Sequence, residues 1–127
     1  MKKPLDAAEA YADAGMNFYN DRKVNEAIEN YEIAARMFSE NGKFVKAAET
    51  HLELADIFEK DHKLKLAANQ VQKAADYYEM ENKEATNKRV VHRLAHLNAL
   101  AGYYEEAIDF FEKTATSILK DGTDSKL

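Results

Sequence analysis

The chain has no cysteine, no tryptophan, one proline and four glycines in 127 residues. Without cysteine there is neither a disulfide nor a thiolate metal site, which fits a reducing compartment and a cytoplasmic protein. The one proline, Pro4, stands where a first helix would begin and interrupts nothing downstream. No apolar run approaches the ~20 residues needed to cross a bilayer. The opening MKKPLDAAEA lacks the apolar stretch of a signal peptide. The expectation is a soluble, unexported chain, peripheral to membranes only through a partner. Basic charge is also in deficit, 18 Lys and Arg against 23 Asp and Glu for a net charge of -5. Aromatic residues do not interleave with the basic ones. The broad positive footprint and stacking platform of a nucleic-acid binder are therefore both missing. No nucleophile and base pair, phosphate-binding loop or paired carboxylates stand out, so neither enzyme activity nor a cofactor is expected.

What the chain does contain is a repeat of forty residues. Ala27, Ala67 and Ala107 recur at that interval, as do Tyr31/Val71/Phe111, Ala35/Ala75/Ala115 and Phe38/Tyr78/Ile118. Upstream, Tyr11/His51/Val91, Ala14/Leu54/Leu94, Gly15/Ala55/Ala95 and Phe18/Phe58/Asn98 keep the same register. A period of this size signals a stacked array, an architecture suited to binding. Apolar residues at three- and four-residue intervals make the pattern helical throughout, with no strand. The spacing predicts helices over about 5–20, 23–40, 43–60, 63–80, 83–101 and 103–120. Breaks are marked by Asn20-Asp21, Asn41-Gly42, Glu81-Asn82, Gly102 and Asp121-Gly122. The expectation is one all-α domain over 1–127, a right-handed array of three antiparallel helix pairs at about 5–41, 42–81 and 82–121, with a frayed tail at 122–127. Gly15, Ala55 and Ala95 are expected to face Ala27, Ala67 and Ala107, letting paired backbones approach closely. Tyr31, Phe38, Phe58, Tyr78 and Phe111 are expected in the core.

The order of large, apolar and small residues on each first helix, then Ala-x-x-x-aromatic-x-x-Ala on the second, resembles the tetratricopeptide repeat, with longer helices to match its longer period. The segments NGKFVKAAETHLELADIFE, KAADYYEMEN and ATNKRVVHRLAHLNALAGYYEEAIDFFEK resemble consecutive parts of the soluble NSF attachment protein (SNAP) family, over roughly residues 20 to 118. The resemblance implies an adaptor. Members lay a concave, basic side along a SNARE four-helix bundle and recruit the NSF ATPase. Set against that family, the chain lacks the aromatic membrane-contacting loop near the start and the C-terminal bundle with its acidic, leucine-bearing tail. Leu127 is at most a faint echo of that tail. Full activity of the family is therefore not expected of it.

Charge, read independently of the resemblance, singles out the fifth segment. Lys83, Lys88, Arg89 and Arg93 lie there against one acid, Glu84, together with His92 and His96. First helices line the concave side of such arrays, so Arg89, His92 and His96 are expected to point into the groove. Lys88 falls at the Asn-Lys where the family places a SNARE-contacting lysine. The corresponding basic position in the preceding unit is Glu49 here, a departure for which Lys43, Lys46 and Lys60 are candidate compensation. The candidate partner-binding residues are thus Lys88, Arg89, His92 and His96. The plainer explanation is a solvated helix whose cations pair with Glu105, Glu106, Asp109 and Glu112, each pair worth about 0 to 1 kcal/mol.

His92 and His96, one turn apart, could chelate a metal. HRLAH, however, lacks the glutamate of a zincin helix and lies among arginines, so no metal is expected. His51 is explained by packing. Two other functions stay open: a general scaffold for an extended peptide, and a self-assembling module that joins copies through uncapped ends, using residues such as Phe110 and Leu119. A carboxylate-clamp form of the scaffold is disfavoured by Ala12, Met16, Leu52 and Asp56 on the groove side.

Overall fold

The computed structural model of the chain describes residues 4–124, and these form five helices with no strand among them. They are α1 (Pro4–Asn20), α2 (Val24–Glu40), α3 (Phe44–Lys60), α4 (Leu64–Met80) and α5 (Glu84–Asp124). Each of the first four has 17 residues, and four near-identical turns join the five helices. The second residue of each turn is left-handed: Arg22 (φ 64°), Gly42 (φ 73°), His62 (φ 58°) and Asn82 (φ 55°). The third residue is always lysine. Its N–H donates to a carbonyl five residues back, Lys23 to Phe18 and Lys43 to Phe38 at 2.8 Å, Lys63 to Phe58 at 2.9 Å and Lys83 to Tyr78 at 3.0 Å. Its own carbonyl then accepts the bond that begins the next helical ladder, donated four residues on by the N–H of Ala27, Ala47, Ala67 or Asn87. The bond spanning five residues is that of a Schellman closure, which satisfies carbonyls that a helix end would otherwise orphan. No side chain caps the starts of α2, α3 or α4. The backbone performs the capping. Asp61-His62 shows why one turn carried no marker in the sequence, since histidine takes the left-handed conformation here without glycine or asparagine.

Consecutive helices pack as α1 on α2, α2 on α3, α3 on α4 and α4 on α5. The seams are alanine. Ala27, Ala34, Ala47, Ala48, Ala55, Ala67 and Ala74 are wholly buried, and the apolar bulk beside them comes from Leu54, Val71, Phe38, Phe58, Tyr31 and Tyr78. Gly15 faces Tyr31, one turn beyond the expected Ala27, and a Cβ there would lie 2.9 Å from the ring. The backbone of α1 passes directly over the tyrosine.

The third pair does not form. Residues 83–101 and 103–120 were expected as two helices, whereas α5 runs unbroken for 41 residues, through Gly102 and on through Gly122. The four formed turns read Asp21-Arg22-Lys23, Asn41-Gly42-Lys43, Asp61-His62-Lys63 and Glu81-Asn82-Lys83. The fifth position reads Ala101-Gly102-Tyr103, with Asn98 where Phe18, Phe38, Phe58 and Tyr78 anchor the others. Alanine is the strongest helix former. Ala101 is buried on α4 while Asn98 is exposed, so continuing the helix costs less there than closing a turn. In consequence Phe111 is 67% exposed instead of core, Ala95 is exposed, and Ala95 cannot face Ala107 along one straight helix. Of the expected frayed tail, residues 122–124 continue α5, and 125–127, with Leu127, lie outside the described residues.

Ala67→Leu should lower stability by about 1 to 3 kcal/mol by overpacking the α3–α4 seam. Lys65→Ala, at an exposed side chain, should stay within about 0.5 kcal/mol. Chemical denaturation of the two variants checks this. Equal midpoints would mean that Ala67 is not at a close contact.

Candidate functional site

The face made by alternate helices, α1, α3 and the first half of α5, holds the charged side chains that the sequence singles out. Two ion pairs tie these helices side by side at the same sequence offset of 37 residues: Lys46 to Glu9 at 2.8 Å and Arg93 to Asp56 at 2.6 Å. Arg93 also reaches Glu59 at 3.2 Å. Burial alone would lower the Arg93 pKa, but its bonds to the two carboxylates outweigh that and raise it. Arg93 is therefore committed to α3, where sequence reasoning had grouped it only with the other cations.

Between α1 and α3 lies an open groove of about 320 Å³ with Tyr31, Phe38 and Thr50 among its lining residues and Glu9, Asp13, Glu49 and Glu53 on its walls, relieved only by Lys46. Burial, with Asp56 adding to it, raises the Glu53 pKa above the ordinary carboxylate value. Burial followed by Glu53 and Asp13 raises that of Tyr31. This end of the face is acidic. The repeat shows where the sign turns, since Glu9/Glu49/Arg89 and Asp13/Glu53/Arg93 each run acid, acid, base at equivalent positions. That reversal was available in the sequence to a comparison of charges at one register.

On α5, Val90, Leu97 and Ala101 are buried and Asn87 and Leu94 half-buried toward α4. Lys88, Arg89, His92 and His96 lie on the opposite side, all exposed, and among the described residues none has an ion pair or hydrogen bond. At 100° per residue they span about a third of the helix circumference and so form one cationic strip. Within it the four divide. Arg89 and His96 flank Arg93 and therefore α3, while Lys88 and His92 occupy the positions of Ala48 and Leu52, which are buried and half-buried on α3. No group of three or more His, Cys, Asp or Glu that could hold a metal occurs among the described residues.

Asn87, the residue before Lys88, holds a buried Oδ1 with no hydrogen-bond partner among the described residues. An unsatisfied buried acceptor costs about 1 to 3 kcal/mol. His51 is half-buried, 2.7 Å from Gln70 through Nδ1 and stacked on Tyr77. Its equivalents Tyr11 and Val91 are exposed, so the packing that explains His51 is not repeated in the other two units. Burial, then the nearby Lys73, pushes the His51 pKa below 6.5, against the raising effect of Gln70.

The family model described as "Soluble NSF attachment protein, SNAP" matches residues 1–123. Comparison with curated proteins and with solved structures returns no match.

Two measurements follow from these side chains. Asn87→Ala, which copies the buried Ala47, should raise stability by about 1 kcal/mol in chemical denaturation. As pH falls through 6.5, the unfolded chain should protonate at His51 before the folded one does. The contribution of neutral His51 is thus complete above that pH and lost below it. Melting between about pH 7.5 and 5.5 should show a decline that is smaller in His51→Val; identical slopes would refute the burial argument.

Proposed function

The chain belongs to the soluble NSF attachment protein family, and on that premise we propose that it is a non-enzymatic adaptor binding an acidic, SNARE-like helical bundle through the cationic strip of α5. Lys88, Arg89, His92 and His96 are the residues assigned to the contact, and recruitment of an NSF-type ATPase is the role the family implies for the complex. The observation that carries the reading is the reversal of charge along the array. The α1–α3 end is lined by acids, and α5 presents four cationic or titratable side chains with no acid among the described residues bound to them. An acidic rod would be steered to the α5 end and held off the other. Complementary charge of this kind acts chiefly on encounter rate and orientation. No helix among the described residues is long and apolar enough to cross a membrane.

A second reading, a scaffold for an extended peptide, is favoured by the α1–α3 groove, whose Glu9, Asp13, Glu49 and Glu53 suit a basic ligand.

Lys88→Glu with Arg89→Glu should abolish binding to an acidic SNARE bundle while leaving the helical circular dichroism unchanged. The loss should be steepest at low salt and shallower as screening sets in. Arg36→Glu with Lys73→Glu makes the same change of net charge on α2 and α4 and should leave binding nearly unaltered. Equal losses in both variants, or no binding by the wild type at any salt, would move the assignment to the peptide scaffold.

A further inference from the structure

The cationic strip of α5 is half permanent charge and half titratable. Carried around the helix at 100° per residue, its members follow one another as Lys88, His92, His96 and Arg89. The two histidines therefore occupy the middle of the strip and the fixed cations its edges. All four lie within about 12 Å along the axis, so a rod seated on the strip cannot avoid the histidines. Histidine is the side chain that ordinarily changes charge between about pH 5 and 8. Across that range the strip passes from the two fixed charges of Lys88 and Arg89 to four. The corresponding positions of the earlier units are Ala12 and Met16 on α1 and Leu52 and Asp56 on α3, none of which can carry a positive charge.

The groups around the two histidines are already committed or are themselves cations. On α5, Lys88 and Arg89 lie one turn before His92, Arg93 lies one turn before His96, and Glu84, the single acid of the segment, is two turns before His92. On α3, Asp56 and Glu59 are both taken by Arg93, at 2.6 and 3.2 Å, while Lys60 holds its ammonium 5.5 Å from the centre of the Tyr19 ring. Glu53 lines the α1–α3 groove. Helix α4 packs on the opposite side, at Val90, Leu97 and Ala101, and its Lys65 pairs with Glu105, more than two turns beyond His96. Charge gained by His92 and His96 is thus left for a partner to meet. We propose that bundle binding is proton-linked: His92 and His96 take up protons as the carboxylates of an acidic bundle come over the strip, and affinity rises as the pH falls below neutrality. The inference rests on the bundle-binding reading and adds its regulation. Linkage is reciprocal, so protons favour the bundle as much as the bundle favours protons. Aspartate and glutamate on the partner stay ionised down to about pH 5, and the gain is not offset from that side.

Calorimetric titration of the wild type with an acidic SNARE bundle at about pH 7.5 and about pH 6.0 should show an affinity roughly tenfold higher at the lower pH, the combined effect of two exposed ion pairs. Buffers of different ionisation enthalpy should register proton uptake on binding. His92→Gln with His96→Gln should bind at the higher pH much as the wild type does, through Lys88 and Arg89, and should gain little on acidification although His51 and His62 remain. His92→Arg with His96→Arg should bind tightly at both pH values. Circular dichroism at the lower pH checks that each protein is folded. A wild-type affinity that is the same at both pH values, or that rises equally in the glutamine variant, overturns the proposal and leaves the adaptor reading standing. Absence of binding by the wild type and by the arginine variant at both pH values overturns the two together.

Discussion

A three-residue turn governs this molecule. In each of its four occurrences a lysine N–H closes the preceding helix and the same lysine's carbonyl opens the next, with one left-handed residue between. That geometry spends no extra chain, so helices of equal length stack in a register of twenty residues. The register is what brings alanines repeatedly to the seams. Tertiary packing of those seams, more than helix propensity, stabilises segments of only 17 residues.

The turn also has a side-chain requirement. Phe18, Phe38, Phe58 and Tyr78 supply the closing carbonyl and place an aromatic ring against the packed helices. Asn98 offers a carbonyl but nothing to bury. With Ala101 and Tyr103 replacing polar residue and lysine, the fifth closure lacks its support, and the helix continues. One local failure therefore leaves α5 long, its apolar second half exposed and its cationic side open.

Stability and recognition are carried by different parts of the chain. The core is small-residue packing with few polar intruders. The ion pairs Lys46–Glu9 and Arg93–Asp56 are solvent-exposed and contribute little free energy, but they set which charges remain unpaired. Arg93 is absorbed by α3, whereas Arg89 and His96 beside it are left for a partner. Asn87, unsatisfied at the α4–α5 seam, weakens the same helix that carries the cationic strip.

Much of this was legible in the residues. The forty-residue spacing placed four helices to within a residue or so at each boundary, identified Ala27, Ala55 and Ala67 as seam positions, and located the one basic segment. Those features are written in local periodicity and in charge, which a single sequence displays. The close approach of Gly15 to Tyr31 and the capture of Arg93 by Asp56 and Glu59 were not legible, because each depends on the rotation of one helix against another. Nor was the fate of residues 101–103. Gly102 is as competent for a left-handed turn as Gly42, and only the balance between burying Ala101 on α4 and having nothing to bury at Asn98 decides that the helix goes on. The repeat, the seams and the sign of the charge along the array follow from residue order alone; whether the last two segments are a pair or a single rod depends on packing, since a turn forms only where the side chains around it have a core to close upon.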